Sequence, residues 1–101
     1  YLPLSEQREI ANRLTYVRCT DTTITSAEEL LEELKTVRAN GFAVDRGEFH
    51  PDVYCIALPV YSSAGDIYAS ISISSSKLLE ENLTYYRDVI ADTIRRLSAL
   101  S

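Results

Sequence analysis

Residues 67–74, IYASISIS, alternate between two kinds of side chain without a break. A two-residue period is that of a β-strand with one dry and one wet face. Ile67, Ala69, Ile71 and Ile73 point one way, and Tyr68, Ser70, Ser72 and Ser74 the other. A strand so patterned requires partner strands and an apolar layer against its inner face. The preceding run, Val53 to Val60, is apolar at both parities, as expected of a strand covered on both faces. Pro59 has no N–H to give to a ladder, which places it at an edge, a bulge or the strand's end. Ser62-Ser63-Ala64-Gly65-Asp66 between the two runs is a turn cluster, so the pair reads as an antiparallel hairpin. Phe42-Ala43-Val44 supplies a third, short strand, and Asp45-Arg46-Gly47 turns the chain after it.

Helices supply the apolar layer. Leu79, Leu83, Tyr86, Ile90, Ile94 and Leu97 recur at spacings of 4, 3, 4, 4 and 3, one face of a long C-terminal helix. Ser26-Ala27-Glu28-Glu29 is a capping box, in which the Ser hydroxyl accepts from the Glu29 backbone and the Glu side chain reaches back. Leu30, Leu31, Leu34 and Val37 continue that helix, and Asn40-Gly41 ends it. A shorter helix is predicted over residues 5–14, with Ser5 as its cap and Ile10, Ala11 and Leu14 as its apolar stripe. Residues 18–25, RCTDTTIT, read as irregular chain. The order is helix, helix, three mostly antiparallel strands, helix, which is an α+β arrangement.

Composition removes several classes of function. A chain of 101 residues with 46% hydrophobic residues is one small domain, not a disordered segment. No apolar run approaches the ~18 residues of a membrane span, and no signal peptide is visible. Ten basic residues stand against fifteen acidic ones, a net charge of −5, and the basic ones are scattered. Nucleic-acid affinity rests on Lys and Arg at phosphates, so direct DNA binding by this segment is not expected. Cys19 and Cys55 have no CxxC or zinc-finger spacing and sit in apolar contexts, which predicts reduced, mostly buried thiols in a cytoplasmic protein. The sequence begins at Tyr1 and holds no Met, so it is expected to be a piece of a longer chain.

Potential chemistry concentrates in residues 41–60, GFAVDRGEFHPDVYCIALPV. Asp45, His50 and Cys55 have the residue types of a Cys-His-acid hydrolase, but Cys55 lies in an apolar strand, where burial raises a thiol pKa. Asp45, Glu48, His50 and Cys55 have the ligand types of a zinc site, at a spacing that matches no zinc motif. Ser70, Ser72 and Ser74 stand roughly 7 Å apart along one strand face, which is either simply wet or the floor of a pocket. With Asp45 and Cys55 brought over that face, neutral donors could hold a carboxylate and Asp45 could accept from a ligand hydroxyl.

These residues carry a family resemblance. The run T-I-T-S-A-E-E-L-L-E-E-L-K-T-V-R-A-N-G-F-A-V-D-R-G-E-F, then C-I-A-L-P-V-Y, then G-D-I-Y-A-S-I-S-I-S resembles the C-terminal effector-binding domain of the IclR family of bacterial transcriptional regulators. No one segment is specific; their order and spacing are. The resemblance implies a GAF/profilin-like antiparallel sheet flanked by helices, of which residues 1–101 would be the later part of a single effector-binding domain. The family's N-terminal winged helix-turn-helix domain would lie outside this chain, and DNA would be bound only through it. The resemblance further implies a small organic acid as effector (a 2-oxo, aldehyde or sugar acid), no cofactor, no metal, no membrane, and a homodimer or homotetramer. Carried over position by position, the ligand-binding residues are Asp45, Cys55, Ser72 and Ser74, with Val53 as an apolar neighbour. Glu48 matches a frequent family Glu of structural type. Relatives often follow the S-x-S strand with Gly-Pro, where this chain has Ser75-Ser76-Lys77 and is shorter before the last helix. Tyr54, Tyr61 and Tyr68 are bulkier than the usual occupants and either pack outward or narrow the site. An interaction module without a ligand is the alternative reading, and an enzyme the third.

Overall fold

The computed structural model describes residues 1–98. Along the chain they form α1 (Leu4–Arg13), α2 (Ala27–Asn40), β1 (Ala43–Arg46), β2 (Tyr54–Tyr61), β3 (Ile67–Ser75), α3 (Leu78–Glu81) and α4 (Leu83–Ser98). The three strands make one antiparallel sheet in the order β1-β2-β3. The class is α+β, as the pattern of periods predicts.

Register decides which side chains share a face. Val44 pairs with Ile56 and Ile56 with Ile73, and Leu58 pairs with Ile71. Tyr54 and Ile56 from this face join Leu79 and Ile90 from the helices in the buried centre. Val44, Leu58, Ile71 and Ile73, with Leu83, Tyr86 and Ile94, pack around them. Ile56, Leu79 and Ile90 are almost wholly removed from water, each contributing about 1.5–3 kcal/mol relative to exposure.

Several expectations are corrected. β2 is dry on one face only: Tyr54, Ile56 and Val60 are buried, while Cys55, Ala57 and Pro59 are half-buried. Among the described residues α3 and α4 cover the Ile56 side. Pro59 sits in the central strand. It costs no β1 hydrogen bond, because β1 pairing stops at Ala57, and an irregularity follows at Val60/Tyr61. The long C-terminal helix is two helices. Asn82 adopts φ −119°, its N–H bonds Leu79 O and its side-chain amide bonds Leu78 O, while its own carbonyl accepts from Tyr86. An Asn side chain competes for backbone groups in this way. The predicted stripe survives the break as far as Ile94; Leu97 is exposed.

Ser5 does not cap α1. Pro3 O accepts from both Glu6 and Gln7 at 3.0 Å, so the helix starts upstream of Ser5. Ser26 does cap α2, accepting from Glu29 N at 3.1 Å, and Gly41 closes that helix in the left-handed conformation. Both cysteines are free thiols, but Cys19 is exposed and Cys55 only half-buried. Cys19 lies in the polar loop after α1, which is anchored by hydroxyl groups instead of apolar packing. Among the described residues no helix is long and apolar enough to cross a membrane.

Candidate functional site

The sheet face opposite the core carries the polar residues. Asp45 on β1 is paired with Cys55 on β2, and Cys55 with Ser74 on β3, making one row across all three strands. Paired Cα atoms in such ladders lie about 4.5–5.5 Å apart. The next row on the same face is Ala43, Ala57 and Ser72, roughly 7 Å along the strands. Four of the five candidate residues therefore share two adjacent rows. Val53 stands just before β2, exposed, at a parity that continues the same face.

Within the first row the Cys55 thiol and the Ser74 hydroxyl are 3.1 Å apart, sharing a hydrogen bond that either can donate. Asp45 Oδ1 accepts from the Glu48 backbone N–H at 2.8 Å, so the carboxylate closes its own turn. Ser72 and Ser74 are exposed, and Asp45 and Cys55 half-buried. Ala43 and Ala57 of the second row, with Pro59 and Ser70 beyond it, line an apolar cleft of about 230 Å³ together with Phe42, Leu58, Val37 of α2 and Tyr1; Asp45, Cys55, Ser72 and Ser74 are not part of its lining. The face thus offers hydroxyl, thiol and carboxylate groups beside an apolar hollow.

The structure separates the other candidates from this row. His50 is exposed in the loop after β1, and its Nδ1 accepts from Asp52 N at 3.1 Å. The thiol of Cys55 meets a serine hydroxyl and not an imidazole. Among the described residues no group of three or more His, Cys, Asp or Glu side chains is placed to hold a metal ion. Burial, then the negative charge of Asp45, push the Glu48 carboxyl above the ordinary glutamate range, against a hydrogen bond from the Arg46 backbone. Arg46 points its guanidinium to Glu80 of α3 at 2.6 Å, tying the end of β1 to the helical layer. Tyr54 packs outward from the row into the core, and Tyr61 and Tyr68 lie exposed at the hairpin end. Ser76, where relatives are expected to carry Gly-Pro, accepts from the Leu78 and Leu79 backbones and starts α3.

Sequence reasoning missed how the Asp45 turn is held. Residues 46–48 leave β1 through the buried, left-handed Gly47 (φ 72°). Their three successive carbonyls all receive threonine hydroxyls. Thr20 donates to Gly47 O at 2.6 Å, Thr22 is shared between Arg46 O and Gly47 O at 3.0 Å each, and Thr23 donates to Glu48 O. The signal was present in the Thr-rich run 20–25, but a hydroxyl-rich loop does not announce its distant acceptors.

A helix-backed antiparallel sheet with a polar row on its other face defines a small α+β domain. The comparisons narrow this to a family. Residues 1–99 match the family model for the C-terminal region of the bacterial transcriptional regulator IclR. The HTH-type transcriptional regulator RhmR of Escherichia coli K12, itself uncharacterised, is 37% identical over 90 residues, 88% of this chain and 34% of that protein. The HTH-type transcriptional regulator KdgR of the same organism is 36% identical over 96 residues, 93% of this chain and 36% of that protein. The crystal structure of the E. coli KdgR C-terminal domain superposes with a TM-score of 0.85, covering 97% of this chain and 61% of that one. The chain belongs to the IclR family of transcriptional regulators, and its match lies in their C-terminal region. It spans about a third of the length of the curated relatives it matches.

Proposed function

We propose that this domain is the sensor of a cytoplasmic bacterial transcription regulator, binding a small organic acid whose presence changes DNA binding by a separate domain. The observation that supports it is the row Asp45–Cys55–Ser74, with Ser72 beside it, gathered on one sheet face next to an apolar cleft. A few polar groups near an apolar hollow is an arrangement that suits a small ligand. Serine hydroxyls and the thiol can donate to a ligand carboxylate, and the free oxygen of Asp45 can accept from a ligand hydroxyl. The partnering of the Cys55 thiol with the Ser74 hydroxyl instead of an imidazole supports this reading over a Cys-dependent hydrolase. Effector binding shifts the DNA-binding equilibrium only by its difference in affinity for the two states.

The test is thermal melting of the complete protein against 2-oxo, aldehyde, sugar and aromatic acids. An acid at ~100 times its Kd adds about 2.7 kcal/mol of stability. Ser72→Ala with Ser74→Ala should then weaken that acid by about 1–3 kcal/mol per lost partner. Unchanged affinity in the double variant refutes the assignment of these serines. A second reading, a homodimer or homotetramer module, is favoured by exposed apolar residues on α1 and α4, among them Leu4, Ile10, Val89 and Leu97. Assembly that persists while every acid fails to bind would favour it alone.

A further inference from the structure

The reading of Asp45 as a ligand group leaves open what holds its carboxylate in place. On β1, Asp45 is next to the strand's end, and β1 is an edge strand of four residues. Such a strand does not by itself fix the turn that follows. The hydrogen bonds around Asp45 continue well beyond it. Asp45 Oδ1 accepts from Glu48 N; the same residue's carbonyl accepts from the Thr23 hydroxyl; and Thr23 Oγ1 in turn accepts from Cys19 N at 3.1 Å and Thr20 N at 2.8 Å. Every link is one peptide or one hydroxyl. The two neighbouring threonines engage the two preceding carbonyls, so the entire 46–48 backbone is gripped by residues 20–23.

We propose that Thr23, with Thr20 and Thr22, is a positioning device for the candidate site: the threonine strap sets the Asp45 carboxylate through the Glu48 peptide. Strap and site are therefore energetically coupled across some two dozen residues of sequence. The physical reason is mutual satisfaction. The three carbonyls at and just past the end of β1 need donors. Threonine hydroxyls supply them while their oxygens order the strap's own backbone N–H groups. Polarised chains of this kind strengthen together, and loss of one link loosens the next. A change at Asp45 is then felt at Cys19 and Thr20, which follow α1, and the reverse holds by linkage.

This inference rests on the acid-sensing reading for its purpose but is tested separately from it. In the complete protein, Thr23→Val, Thr23→Ser and Asp45→Ala are compared with the parent, and Thr23→Val is also combined with Asp45→Ala. All are held at a temperature where circular dichroism shows each folded. Amide hydrogen exchange is followed at Cys19, Thr20 and Glu48, and calorimetric titration is run with glyoxylate, pyruvate and gluconate. Thr23→Val should speed Glu48 exchange about five- to tenfold, the weight of one such hydrogen bond, and Thr23→Ser should restore it to within about twofold. Asp45→Ala should speed exchange at Cys19 and Thr20, which it does not touch. Whichever acid binds the parent should bind Thr23→Val more weakly by a similar factor, and that loss should vanish in the Asp45→Ala background, the mark of coupled residues. Glu48 exchange unmoved by Thr23→Val, or Cys19 and Thr20 unmoved by Asp45→Ala, overturns the proposal. Failure of all three acids with the exchange coupling intact keeps the strap and counts against the acid-sensing reading instead.

Discussion

Replacing Gly47 by Ala probes the turn that carries the candidate site. Gly47 has φ 72°, and a Cβ built on it would lie 3.0 Å from Pro51 O, 3.3 Å from Pro51 Cα and 3.4 Å from His50 O. Gly41, at the end of α2, has a similar φ of 80° with nothing within 4 Å of its Cβ position. Alanine at either site adopts left-handed backbone, costing about 1–2 kcal/mol. At Gly47 the methyl must also displace backbone, which cannot swing aside like a side-chain tip. Overpacking of that kind adds about 1–3 kcal/mol. Gly41→Ala is thus expected to cost about 1–2 kcal/mol and Gly47→Ala about 2–5 kcal/mol by the same sums. Urea denaturation measures both, and at ordinary slopes the two midpoints should differ by about 1 M. Equal midpoints with unchanged slopes would refute the contact between the Gly47 turn and the Pro51 backbone. A Gly47→Ala protein that is folded but has lost acid binding would add that this turn carries the site.

Two further outcomes follow from burial and charge. Glu48 has a raised pKa in the folded protein, caused first by burial and then by Asp45. Its protonated form favours folding: that stability is fully present below the unfolded pKa of about 4.3 and is lost as pH rises through the higher folded value. Urea midpoints of Glu48→Gln and parent should therefore diverge in favour of Gln from pH 4 to pH 7; parallel curves would show that the carboxyl is not perturbed. Ile56→Ala empties the centre of the core, where Ile56 has 0% exposure, and should cost about 2–5 kcal/mol by chemical denaturation. A loss below 1 kcal/mol would mean that the α4 layer collapses into the space or does not cover it.

Much of this was legible because periodicity is a local property. The IYASISIS alternation placed Ile71 and Ile73 inward and Ser72 and Ser74 outward, and the register with β2 agrees. The helical spacing from Leu79 to Ile94 marked the face that covers them. Asn82 escaped notice because one polar residue within an unbroken stripe breaks a helix only when its side chain finds backbone partners, here Leu78 O. Pro59 was placed by a rule about ladders, whereas its tolerance depends on where β1 happens to stop.

The candidate site divides in the same way. That Asp45, Cys55, Ser72 and Ser74 belong together came from a family pattern, and strand parity alone put the two serines on one face. Only pairing across three strands shows that Asp45, Cys55 and Ser74 form a single row, because register is set by contacts between segments and not within them. The same holds for the threonine strap, whose donors and acceptors are separated by more than twenty residues. Sequence by itself determined where most helical and strand segments lie, the two faces of β3 at residues 71–74 and the helix caps at Ser26 and Gly41, since these depend on near neighbours. The tertiary structure decided which polar groups meet, because a hydrogen bond between distant residues leaves no period in the chain.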